Sequence, residues 1–237
     1  MTITSIPTAS NAYDFELVAV DLYRDIHKGI RAELFDITAT AGNVDASNRF
    51  DRAALAGPVI AVGNVLDSHA HHEDLALDPV LLEFAPTLAE QITHDHHALE
   101  ARFSAITELA QATVDATVVD QRRLTHLLYL ELAGFTSAYL AHQSVEERVV
   151  MPALEKAIGV DAVLGLHMAI VSSIPPDEMA RSLSFMLPAM NVDDRVEMLT
   201  GMRMSAPPEA FAAVTGLARS VLEPADYSSL TNRLGIA

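Results

Sequence analysis

Cysteine is absent from this 237-residue chain, which excludes a disulfide framework, a thiolate metal site and an iron–sulfur cluster. His, Asp and Glu are left as the available metal ligands. Lysine is nearly absent too, with Lys28 and Lys156 the only two; Lys and Arg together number 15 against 32 Asp and Glu, for a net charge of −17. Such a chain lacks the cations that displace counterions from a polyanion, so neither nucleic acid nor an anionic membrane surface is expected as a partner. No run of about 18 apolar residues occurs; the nearest stretch, 159 to 174, is broken by Asp161 and His167. The opening MTITSIPTASNAYDF has no basic region followed by an apolar core, so it does not read as a secretory signal. Residues 1–13 read as a mobile tail and the expected location is cytoplasmic. Also missing are a phosphate loop, a flavin or nicotinamide fingerprint and a nucleophile triad, and no segment shows the period-two pattern of a strand.

What is present is helical periodicity. Val20, Tyr23, His27, Ile30, Leu34 and Ile37 recur at spacings of three and four, predicting a first helix from about Asp14 to Thr40. A second starts near residues 46–48, bends at Gly57-Pro58 and carries Val62, Val65 and His69 in a row towards LLEF. The third opens at Pro86-Thr87 and aligns Ala89, Ile92, His96, Leu99, Phe103 and Ile106. The fourth spans about 118–157 and puts Leu128, Phe135 and His142 on one face. These patterns predict an all-α bundle over 14–158. Beyond Gly159, IPP, APP and EP cut the chain into short helices with Pro in their first turns, so 159–237 reads as a C-terminal helical appendage. Six of the nine Met fall between Met179 and Met204, a cluster that reads as soft core packing.

Two segments repeat a pattern. HAHHEDLALDP (69–79) and HQSVEERVVMP (142–152) each have His, Glu four residues later, an acid at the next position and Pro ten after the His. The i, i+4 spacing presents an imidazole and a carboxylate from one helix face, half of a metal site. The other two helices each bring one inward histidine: His27 precedes His69 by 42 residues and His96 precedes His142 by 46. Two similar helical pairs, each giving His plus HxxxE, supply four imidazoles and two carboxylates, the donor set for two adjacent ions. Burying these groups is costly unless a metal or a complete hydrogen-bond network neutralises them. Asp74 and Glu147 turn about 100° away from the glutamates before them and read as solvated or supporting groups.

On these residues the chain resembles the hemerythrin-like (HHE cation-binding) family, whose pattern is His, HxxxE[E/D]xxxxP, His, HxxxEExxxxP. The resemblance covers about residues 14–157 and implies an up-down-up-down four-helix bundle holding two non-haem iron ions. It further implies His27, His69, Glu73, His96, His142 and Glu146 as ligands, with the two Glu and an oxo or hydroxo group as bridges. N/O donors alone leave Mn or Zn open. Oxygen-carrier hemerythrins differ in using HxxxH on the third helix; THDHHALE has no such pair, and His97, with His94, ranks behind His96 because only His96 fits the apolar stripe. Four His and two Glu leave both metals with open or water-filled positions, which suits reaction with O2 or peroxide. ExxH on two helices, as in ferritin-like sites, and HExxH are both absent. His71, His72, His126 and His167 read as surface or supporting groups. Tyr23 and Tyr139, close in sequence to His27 and His142, are candidates to hydrogen-bond a bound oxygen species or to pack in the core. Glu131 is a candidate acid near one end of the site, or half of a salt bridge.

Three functions compete: a di-iron protein that binds or reduces O2 or decomposes peroxide, an iron or oxygen sensor acting through its C-terminal helices, and a structural bundle with adventitious metal. The C-terminal helices are the candidate surface for a protein partner or a homodimer.

Overall fold

The computed structural model describes residues 16–236, and all regular structure among them is helical. The expected N-terminal tail, 1–13, lies outside the described residues. In chain order the helices are α1 Arg24–Asn43, α2 Arg49–Ala76, α3 Asp78–Phe84, α4 Pro86–Val114, α5 Gln121–Val145, α6 Met151–Ile158, α7 Val160–Ser173, α8 Pro176–Ala189, α9 Val192–Ser205, α10 Pro208–Val221 and α11 Pro224–Leu234. A π-helical turn, Glu146–Val150, joins α5 to α6. No described helix is long and apolar enough to cross a membrane.

The described chain divides into two compact units. One comprises the chain up to Tyr23 and Glu33–Val171; the other comprises Arg24–Ala32 and the chain from Ser172.

In the first unit α2 packs along α4, and α4 along α5. α1 lies against α5, where the Thr38 and Thr136 hydroxyls are 3.0 Å apart. The inward stripes are those the 3.6-residue period marks: Leu34 and Ile37 of α1, Val59 and Val62 of α2, Phe103 and Ile106 of α4, Leu128, Leu132 and Phe135 of α5 are all buried. Removing each such side chain from water contributes about 1.5–3 kcal/mol. Phe103 and Phe135 meet edge-to-face with ring centroids 4.7 Å apart. A second apolar cluster joins Tyr23, Leu77, Leu81, Ala89, Ile92, Val150, Met151, Leu154 and Val163. On α4 the inward histidine, His96, lies between Ile92 of this cluster and Phe103; on α5 the His142–Glu146 pair lies between Phe135 and Val150. The ionisable layer is thus closed by hydrocarbon along the bundle at both ends.

Three boundaries depart from the sequence expectation. α1 begins at Arg24, not near Asp14, because the preceding chain is held otherwise: the Ala19 and Val20 amides donate to the Glu155 carboxylate at 2.7 and 3.2 Å, and Asp21 accepts from the Tyr23 amide. α2 runs unbroken through Pro58; Gly57 and Pro58 are exposed, so the carbonyl that loses its helical partner can bond water. α2 also stops before LLEF: Leu77 closes it through a bond to the Glu73 carbonyl, and Pro79 stands in the first turn of α3. The fourth helical course, finally, starts at Gln121 and widens into the π turn before continuing to Ile158, where Gly159 at φ 81° ends α6.

In the second unit, Leu183, Leu187, Leu199, Val214, Ala218, Leu222 and Leu230 form one apolar cluster, with Met179, Met198 and Met202 packed against it. Pro176, Pro208 and Pro224 each open a helix, where the missing amide costs nothing. Met190 is buried and Met204 exposed. The α1 stretch belongs here through Lys28 paired with Asp194, Arg24 bonded to Glu197 at 3.0 Å, and Gly29, where an added Cβ would stand 2.6 Å from the Phe185 ring.

Candidate metal centre

Each repeat forms the pair its spacing foretells. His69 Nε2 lies 3.0 Å from Glu73 Oε1 on α2, and His142 Nε2 lies 2.9 Å from Glu146 Oε1 where α5 meets the π turn. His96 of α4 stands between them, its Nε2 3.4 Å from both Glu73 Oε2 and Glu146 Oε1. Its ring meets that of His142 edge-on with centroids 4.9 Å apart. The six residues fall into two groups, His27, His69, Glu73 and His96, His142, Glu146, and within each group one donor atom per residue lies within 4.8 Å of the others. All six side chains are nearly closed off from solvent, Glu146 completely so at 0% exposed.

Two anions in this setting create a strong demand for positive charge. Burial pulls the His96 imidazole towards neutrality, but its contacts with the Glu146 and Glu73 carboxylates outweigh that and push its pKa up to about 11. His69 is likewise raised: burial works against its charge, and Glu73 more than offsets it. Glu73 ends below the usual carboxylate range, since His69 and His96 overcome both its burial and the repulsion from Glu146. Tyr23 and Tyr139 are held well above an ordinary phenol, by burial first and by the two glutamates next. A proton on His96 is the nearest thing to a cation that the chain itself can place between the carboxylates.

The donor set fits a metal on two further observations. Glu73 Oε2 is buried and, apart from its ionic contact with His96 Nε2 at 3.4 Å, accepts no hydrogen bond, a state that costs about 1–3 kcal/mol and that an ion would relieve. His96 is also fixed as a ligating histidine is, donating its Nδ1–H to Asp74 at 2.7 Å and turning Nε2 to the glutamates.

The profile of the hemerythrin HHE cation-binding domain matches residues 18–163. The chain belongs to the hemerythrin HHE cation-binding family. No curated protein and no solved structure matches it.

For this hemerythrin-like chain the other candidates separate by position. Tyr139 is buried between Phe135 and His142, with centroids 5.6 and 5.8 Å away, and Tyr23 is buried in the cluster next to the ionisable layer. Glu131 is 45% exposed and faces Arg102 at 3.7 Å, so it is not gathered into the site. His97 and His94 point to solvent, as do His71, His126 and His167, and His72 is half-buried. A small cavity opens beside His96 and Tyr139, walled by Leu66, Ala70, Leu99 and Phe103; the centre of a water-sized molecule can range over about 10 Å³ within it.

Two features escaped the sequence reading. From sequence Asp74 reads as a solvated or supporting group with no partner indicated; in the fold it holds His96. The π turn at Glu146 was not foreseen, although Pro152 signals it: proline has no amide to donate and its ring clashes with the carbonyl four residues back, here that of Arg148. The turn widens so that the Met151 amide bonds the Glu146 carbonyl instead.

Proposed function

We propose that this chain is a non-haem di-iron protein that binds or reduces O2 or decomposes peroxide, on an up-down-up-down bundle of α1, α2, α4 and α5. The observation that carries the reading is the pair of buried groups, each two imidazoles and one carboxylate, sharing one anionic layer. His27, His69 and Glu73 would hold one ion, His96, His142 and Glu146 the other, with the glutamates and an oxo or hydroxo group as bridges. Iron is favoured over Mn or Zn by family membership, since the donor set accommodates all three. Iron so placed would supply a Lewis acid and a one-electron couple for an oxygen ligand.

The chain's own part is to bind and orient. Asp74 fixes the His96 tautomer, the hydrocarbon on both sides excludes bulk water, and the cavity by Tyr139 has room for about one water-sized molecule. The matching experiment is metal analysis with an optical spectrum before and after peroxide. About two irons per chain with near-ultraviolet and visible bands that respond to peroxide are expected; zinc, or no metal, would leave a structural bundle. If the loaded protein bound and released O2 unchanged over many cycles, it would be a carrier and not an enzyme.

A second reading, an iron or oxygen sensor, has its own support: the two turns of α1 that bear His27 are gripped by the C-terminal helices through Lys28, Arg24 and Gly29. It expects protease sensitivity beyond residue 160 to change with metal or oxygen state. A protein partner or a second copy would then meet the C-terminal helices.

A further inference from the structure

One buried group of the α5 segment has no role in the account above. Gln143 is 0% exposed, and neither its Nε2 nor its Oε1 has a hydrogen-bond partner. Proteins seldom leave one buried amide atom unsatisfied, and here both are. Along a helix each residue advances 100°, so Gln143 sits beside His142 and about 60° around from Glu146, within one turn of both. It shares this flank of α5 with Thr136, which meets Thr38 of α1. Other orphaned atoms cluster in the same layer, at Glu73 Oε2 and His142 Nδ1; Thr125 Oγ1 is orphaned as well, but lies about 26 Å along the helix from His142.

We infer that Gln143 is a positioning residue for the metal centre, its carboxamide hydrogen-bonding a water or peroxide molecule held beside Glu146. This rests on the metal-centre reading and deepens it. The amide offers one donor atom and one acceptor atom, both free. Water and hydrogen peroxide can satisfy both at once, whereas dioxygen can only accept. The pair of free atoms therefore suits water or peroxide at this position better than O2.

The test compares wild type, Gln143→Leu and Thr125→Val, each metal-free and after titration with Zn²⁺. Gln143→Leu is expected to raise the melting temperature of the metal-free protein, by removing an unsatisfied amide, while weakening Zn²⁺ binding about tenfold and at least halving the Zn²⁺-induced rise in melting temperature. Thr125→Val should leave the Zn²⁺ response unchanged. On the wild type, the Gln143 side-chain NH2 resonances should shift and gain protection from exchange on Zn²⁺ loading, a readout independent of any variant's folding. With iron, Gln143→Leu should slow reaction with peroxide at least tenfold and alter reoxidation by O2 less than twofold. An unaltered Zn²⁺ response together with unmoved NH2 resonances would overturn the inference while leaving the metal centre standing. A wild type that takes up neither Zn²⁺ nor iron would overturn both.

Discussion

HAHHEDLALDP and HQSVEERVVMP agree at the positions that face the centre and part company in their backbones. In both, His and Glu one turn apart form a buried pair at about the same distance. After Glu73 the helix ends: its carbonyl takes the Leu77 amide, and Pro79 sits harmlessly in the first turn of α3. After Glu146 the backbone widens into a π turn that runs without a break into α6, and Pro152 stands in the first turn of that helix. The proline thus opens a helix in both repeats, after a closed helix end in one and after a π turn in the other. Conserving donor geometry constrains two side chains; everything after them is free to follow the route the chain must take.

The comparison breaks most decisively at the carboxylates. Glu146→Ala and Glu73→Ala should each reduce iron content to less than a tenth of wild type by metal analysis, since each leaves two or more imidazoles facing one buried anion. His69→Ala should be nearly as severe, and His71→Ala nearly silent; equal losses would mean that the inward face of α2 is wrong.

Proton balance gives the next effect. His96, raised to about 11 in the folded protein against about 6.5 unfolded, stabilises the metal-free fold fully below about pH 6.5 and loses that contribution as pH rises through 11. The metal-free melting temperature should therefore fall from neutral to alkaline pH, and the loaded protein should fall less, because coordination has already removed the proton. Metal uptake at pH 7 should accordingly release protons, seen as a calorimetric enthalpy that depends on the buffer's ionisation heat.

Asp74→Asn should weaken metal binding about 10- to 100-fold with the fold intact; Glu147→Gln, at the matching position of the other repeat, tests whether that support is shared. The smallest effect distinguishes the prolines. Pro79→Ala, at a helix start, should change stability by less than about 1 kcal/mol. Pro152→Ala removes the clash that holds the π turn open, and should lower metal affinity severalfold with little change in melting temperature.

Which side chains face inward was legible because a 3.6-residue period is a local property: it separated His96 from His94 and His97 across four positions. The start of α1 was not, because what holds residues 19 and 20 is Glu155, more than 130 residues away, and no local pattern announces so distant a carboxylate. Asp74 was visible as an acid in register with the repeat, but its partner is on another helix, and periodicity within one segment is silent about that. Gln143 was masked by its neighbours: between His142 and Glu146 a neutral amide looks like ordinary polarity until its surroundings are known to be dry.

Gly29 has a practical consequence. Its bare α-carbon lets Phe185 settle on the first turns of α1, next to the salt bridges of Arg24 and Lys28. Residues 18–163, the span of the family match, leave Phe185, Asp194 and Glu197 behind. A protein trimmed to that span keeps every one of the six donors yet loses the clasp on the helix end that presents His27. The stretch matched to the family and the stretch that braces the first turns of α1 are different lengths of this chain.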